Sequence, residues 1–181
     1  MGDWYRGWGR PVRNVGQVGL LRTHGFSSWL IRTFTRARTN HVVIDVGDGL
    51  ISAEYPYVIK RPYDYFSNII WSRFDLTIPQ QQKIASFANE QLGKRYNWAD
   101  FLAIGVGILT RQHTPRWLMH WLSSNGEWIC SSLSDAALRH GGIHLFDDER
   151  PVGAVVPASF ERWFADAGWL PVKIRFSKRG E

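Results

Sequence analysis

Cys130 is the only cysteine of the chain, and it stands immediately before a helical pattern, SSLSDAALRHGG. The free N–H groups and positive dipole end at a helix start stabilise a thiolate, which makes a cysteine there a candidate nucleophile. The competing reading is an inert buried thiol, because free cysteines are among the most buried residue types. A nucleophile needs a base, and His41 is the residue placed to supply one. It opens the run HVVIDV, in which Val42, Ile44 and Val46 alternate with His41, Val43 and Asp45. Side chains of a strand alternate between its two faces, so the ring leaves on the face opposite the fully apolar one. Glu54 is the candidate to orient that ring. A two-residue turn at Asp48-Gly49 sets Glu54 opposite Val43 and diagonal to His41, whereas a four-residue turn sets it directly opposite His41. A three-residue loop would send it to the wrong face unless a bulge intervened. Asp45 shares the face and competes for the same role.

The elements that must position these groups follow from periodicity and punctuation. Residues 16–22 read as a first strand, and FSSWLIRTFTR (26–36) as a helix with Ser27 and Ser28 as possible N-caps. HVVIDV and LISAEYPYVI, separated by Gly47-Asp48-Gly49, carry the best hairpin signal. Pro79 marks the first turn of a helix in PQQQKIASFANEQLG, with Ile84, Phe87, Ala88 and Leu92 on its apolar stripe and Gly93 as its stop. Further helices are expected over 98–109, from about Cys130 to Gly141-Gly142, and after Pro157, followed by a strand over 170–176. Residues 1–15, which mix Trp, Gly and Arg without period, read as an irregular arm, and 16–181 as a single domain.

With 181 residues, 44% of them hydrophobic, the chain is long enough for one filled core, and its composition excludes collagen, coiled coil and wholesale disorder. A single cysteine excludes an internal disulfide. The net charge of +6 favours anionic partners without choosing among them. The opening residues lack the apolar region of a secretory signal, and no stretch approaches the ~18 to 20 apolar residues of a membrane span. The expectation is a chain that is cytoplasmic when synthesised, with no membrane span, and virion-associated or delivered to the cell wall without a cleavable signal.

Four segments in order resemble a known family. The stretch VGQVGLLRTHGFSSWLIRTFTRARTNHVVIDVGDGLISAEYPYV is followed by LGKRYNWADFL, WICSSLSDAAL and VVPASFERWFADAGWLPV. Together they are similar to circularly permuted papain-like hydrolases of the NlpC type, the YiiX-like branch related to lecithin:retinol acyltransferase, over about residues 16 to 174. The resemblance implies an α+β fold with an antiparallel sheet packed on helices, and a histidine that precedes the cysteine. It implies Cys130 as nucleophile at a helix N-terminus, His41 after Asn40 as base and Glu54 as the polar third residue. Tyr96 in GKRYN matches the family's tyrosine near the cysteine, and with Trp128 and Asp45 it is assigned to the substrate and oxyanion pocket. The family often carries an acidic or polar residue before the cysteine, where this chain has Ile129, so the pocket differs from the usual one.

The expected activity is thiol acyl transfer on an amide bond, in peptidoglycan stem peptides or a related peptide, without cofactor or metal. The alternatives are an acyltransferase or lipid ester hydrolase with the same chemistry, and a non-catalytic component of a phage tail-like particle. His140, His144, Asp147 and Asp148 in HGGIHLFDD are too loop-like to fix a coordination geometry. His24, His113 and His120 read as surface or packing histidines. Among ten Trp, Trp4 and Trp8 in the arm are the best candidates to contact a partner. The basic ends lack any recognised nucleic-acid motif, and no specific nucleic acid is expected.

Overall fold

The computed structural model describes residues 15–23, 38–95, 129–146 and 155–171. Among them the architecture is α+β. Five strands, β1 (Val18–Leu21), β2 (His41–Asp45), β3 (Leu50–Glu54), β4 (Tyr57–Arg61) and β5 (Ile70–Trp71), form one antiparallel sheet in the order β4-β3-β2-β1-β5. Three helices accompany it: α1 (Ile78–Glu90), α2 (Cys130–His140) and α3 (Pro157–Asp166). No helix among the described residues is long and apolar enough to cross a membrane. The arm, the helices expected over 26–36 and 98–109 and most of the strand expected over 170–176 lie outside the described residues, as do Tyr96 and Trp128.

The pleat sorts the sheet into two faces. Val42 and Ile44 of β2 join Ile51 and Ala53 of β3 in the main core, against Leu133 and Leu138 of α2 and Phe160 and Phe164 of α3. Leu21, Val43 and Leu50 point the other way, where Tyr63, Phe66, Ile69 and Trp71 cover them. The first face stabilises the molecule more, since each fully buried large aliphatic side chain such as Leu138 is worth roughly 2–5 kcal/mol against alanine.

The helix boundaries follow local chemistry. Gln80 accepts the Thr77 N–H at 3.0 Å at the start of α1, with Pro79 in its first turn. Ile84 and Ala88 are buried and Phe87 half-buried, but the helix ends at Glu90, so Leu92 falls beyond it and stands exposed rather than on the apolar stripe. α2 ends at Gly141-Gly142. Gly142 has φ +81°, and a Cβ on Gly141 would come within 2.5 Å of Ile84, so the glycine pair both stops α2 and lets α1 approach it.

The segment LISAEYPYVI is two strands rather than one. Pro56, which has no N–H for a ladder, ends β3, and the chain reverses at Tyr55-Pro56 so that Glu54 opposes Tyr57. The first turn is a four-residue loop, with Asp45 opposite Leu50 and Val43 opposite Ser52.

Candidate functional site

The chain entering β2 is held from two sides. Glu161 of α3 accepts the backbone N–H groups of Arg38 at 3.1 Å and Thr39 at 2.7 Å, together with the Thr39 hydroxyl at 2.6 Å. The Asn40 side chain accepts the Thr23 N–H at 2.9 Å and donates to the Thr23 hydroxyl at 2.7 Å. Hydrogen bonds to a carboxylate are stronger than neutral ones, so α3 and the end of β1 fix where His41 begins the strand.

At that end the sheet forks. β2 stays paired with β1 as far as Leu21 opposite His41, and β3 stays paired with β4 as far as Glu54 opposite Tyr57. The pairing of β2 with β3 runs from Asp45 to Val43 and stops. The next donor facing β3, the Val42 N–H, is directed at the sulfur of Cys130. α2 packs against both strands here, with Cys130 as its first residue and Ile129 as N-cap. The N–H groups of Cys130 and Ser131 also bear on the sulfur, so three backbone donors from two elements converge on it. The Ser131 hydroxyl donates to the Val155 carbonyl and anchors this helix start to the segment leading into α3.

His41 is buried, and its side chain lies on the face opposite Val42. Its Nε2 is 2.6 Å from the Ser52 hydroxyl, and its ring packs against Phe66 with centroids 5.8 Å apart. Ser52 and Glu54 share this face of β3, two residues apart, as the pleat requires. Glu54 is gripped by Arg61 of β4 through two bonds, Nη2 to Oε2 at 2.8 Å and Nε to Oε1 at 3.2 Å. Arg61 in turn lies 4.0 Å from the centre of the Tyr65 ring.

The charges follow from burial and these contacts. Burial pushes the Cys130 thiol up to about 11, against the smaller downward pull of the three backbone N–H groups, and the Glu54 charge adds to the rise. Burial pushes His41 down to about 4, with Glu54 drawing it back only in part. For Glu54 burial acts upward, but the hydrogen bonds from Arg61 and Ser52 and the charges of His41 and Arg61 outweigh it and hold the carboxyl below its ordinary value. The resting site is therefore a neutral thiol and a neutral imidazole beside an ionised, arginine-bound carboxylate.

Of the residues singled out from the sequence, Cys130, His41 and Glu54 belong to the forked end of the hairpin, Cys130 in the core cluster of Val42, and His41 and Glu54 on the opposite face of the strands. Asp45 belongs to the opposite end of β2, four residues and about 13 Å along the strand from His41. There its Oδ1 accepts the Gly47 N–H at 2.8 Å and the Tyr63 hydroxyl at 2.7 Å, closing the turn. His140 ends α2 with its ring 5.0 Å from that of Phe87, and no three potential metal ligands cluster among the described residues. Sequence reasoning missed Ser52, the direct partner of the imidazole. The signal was present, since Ser52 lies on the Glu54 face, but only the four-residue register places it beside His41. No protein-family model matches the chain, and no curated protein matches it.

Proposed function

We propose that the chain is a cysteine hydrolase of permuted papain-like, NlpC-type architecture, acting on an amide bond in peptidoglycan stem peptides or a related peptide. The observation that carries this reading is the fork between β2 and β3. It puts a cysteine at a helix start onto the N–H adjacent to a histidine, with that histidine backed by a serine and a carboxylate. In the proposed reaction His41 takes the proton of Cys130 as the sulfur attacks the carbonyl carbon. The developing oxyanion is held by backbone N–H groups at the start of α2. His41 returns the proton to the leaving amine, and water, activated by the same ring, releases the acyl group and frees the thiol. The four ordered sequence segments support the same reading, as does the observed α+β architecture with its antiparallel sheet.

The test sets purified muropeptides beside lipid esters, with Cys130→Ala and Cys130→Ser as controls. Release of a peptide fragment by the native chain and by neither variant supports the amide reading. Turnover of the ester alone moves the assignment to an acyltransferase or lipid hydrolase with the same thiol chemistry.

One observation favours a second reading, a binding component that retained the fold, such as part of a phage tail-like particle. Burial holds the thiol at about 11 and the imidazole at about 4, which opposes a resting thiolate–imidazolium pair. Stable association with a particle partner, together with a Cys130 indifferent to His41, supports that reading instead.

A further inference from the structure

We propose that the forked end of the sheet docks on an anionic lipid membrane, with the β3–β4 turn as its aromatic tip and Arg22, Arg38, Lys94 and Arg95 as its cationic rim. The inference goes beyond the hydrolase reading and does not depend on it, because it rests on exposure and charge rather than on Cys130 or His41.

Charge is sorted along the strands. β1 ends at the fork with Leu21 opposite His41, so Arg22 follows it there, and Arg38 lies just ahead of β2. On the far side the chain leaving α1 runs beside β4, where the Val58 N–H donates to the Lys94 carbonyl at 2.8 Å and Arg95 bridges to Tyr57. All four basic residues are exposed. Of the described acids at this end, Glu54 is held by Arg61 and Glu161 by the Arg38 and Thr39 N–H groups, while Glu90 at the end of α1 is exposed. The turn end has the opposite balance, with Asp48, Asp64 and Asp75 exposed beside Lys60 and Arg73. Lys60 there is already paired with Asp48 at 2.9 Å.

The tip supplies the apolar part. Glu54 opposes Tyr57, so Tyr55 and Pro56 alone make the reversal, and Tyr55 is 75% and Tyr57 45% exposed. A tyrosine joins an apolar ring to a polar hydroxyl, which suits the boundary between headgroups and acyl chains, and basic side chains attract anionic headgroups. The occupant follows from span and shape. Four strand spacings, roughly 20 Å, separate Arg22 from Arg95, so one small anion cannot reach both sides of the rim. The aromatic residues stand on a convex two-residue turn rather than along a groove where successive bases could stack, which favours a lipid surface over a nucleic acid strand. Docking at this end holds the fork against the headgroups.

The test is sedimentation of the full-length chain with vesicles of equal parts phosphatidylglycerol and phosphatidylcholine, beside vesicles of phosphatidylcholine alone. Binding to the first and not the second is expected, and it should weaken as salt is raised. Lys94→Ala combined with Arg95→Ala should weaken it roughly 20-fold, about fivefold for each cation near an anionic surface. Tyr55→Ala should weaken it several-fold through the apolar area it no longer buries. Lys60→Ala combined with Arg73→Ala removes the same charge from the turn end and should leave binding within about twofold, since that end stands beyond the screening length. Far-UV circular dichroism checks that each variant folds. Equal losses for the two pairs, or no sedimentation with the anionic vesicles, overturn the proposal. So does a single-stranded oligonucleotide bound through Lys94 and Arg95 while the vesicles stay unbound, which assigns the surface to nucleic acid. Because no turnover enters the measurement, failure of the hydrolase reading shows separately, as hydrolysis retained by Cys130→Ala.

Discussion

The two ends of the β2–β3 hairpin use the same kind of residue on the same face for opposite purposes. At the turn the ladder continues, with Asp45 opposite Leu50 and the Val46 N–H donating to the Gly49 carbonyl at 3.0 Å. The carboxylate there serves the backbone, accepting from Gly47 and Tyr63. At the other end the ladder stops, and the Val42 N–H turns to the Cys130 sulfur. Glu54 there serves side chains, bound by Arg61 on the same face as His41 and Ser52. The difference lies in backbone continuity rather than in the acid: where the ladder is intact a polar group closes it, and where it opens the polar groups address one another.

On the proposed hydrolase reading, the largest effect that separates the two ends is on turnover. Cys130→Ala should remove covalent catalysis, a loss of roughly 10⁴-fold or more in kcat. His41→Gln should lose about 10² to 10⁴-fold, the usual contribution of a general base. Asp45→Ala should leave kcat within about threefold, since its contacts are those of the turn, and steady-state kinetics on the hydrolysed substrate checks all three. A loss in Asp45→Ala comparable to that in His41→Gln would erase the distinction.

The next effect is on stability in acid. The folded state holds His41 neutral down to about pH 4, whereas the unfolded chain takes up that proton near 6.5. Between these values the unfolded state binds more protons, so stability is full above pH 6.5 and declines as the pH falls toward 4, by about 3 kcal/mol. Urea unfolding at stepped pH should show this decline in the native chain and its near absence over the same window in His41→Gln. Glu54, held low, adds a loss that begins only below its ordinary value of 4.5.

The smallest contrast lies between the two acids. Asp45→Ala should cost roughly 1–3 kcal/mol of unfolding free energy, through the donors of Gly47 and Tyr63 that it leaves behind. Glu54→Gln keeps the shape and should lower kcat about tenfold, a fraction of the base's own contribution, with a smaller change in stability. The opposite pattern, with stability lost at Glu54 and turnover at Asp45, would reverse the assignment of the two ends.

Much of the frame was legible because it is written in local punctuation. Pro79, Gly141-Gly142 and Pro157 mark helix ends that the structure keeps, and the alternation in HVVIDV gives the correct faces of β2. The break at Pro56 was not, because that proline interrupts a run whose composition is strand-like on both sides. The clamp of Glu161 on Thr39 spans 122 residues, and no periodicity reports such a contact. Cys130, His41 and Glu54 could be named from residue type and strand face. Ser52 could not, because its place beside His41 depends on the loop length, and the fork lies where Cys130 of a distant helix packs with Val42.

The most direct test of the account is the rate at which Cys130 is acetylated by an activated phenyl ester across pH 5 to 9, followed by intact mass in the native chain and in His41→Gln. With a neutral His41 above about pH 4 and a protonated thiol up to about pH 11, the reactive form dominates the whole range. The account predicts a nearly flat profile for the native chain, replaced in His41→Gln by a slow rate rising about tenfold per pH unit, as for an unassisted thiol. A native chain with that same tenfold slope, and a rate unaffected by His41→Gln, would contradict the claim that the two residues act as nucleophile and base.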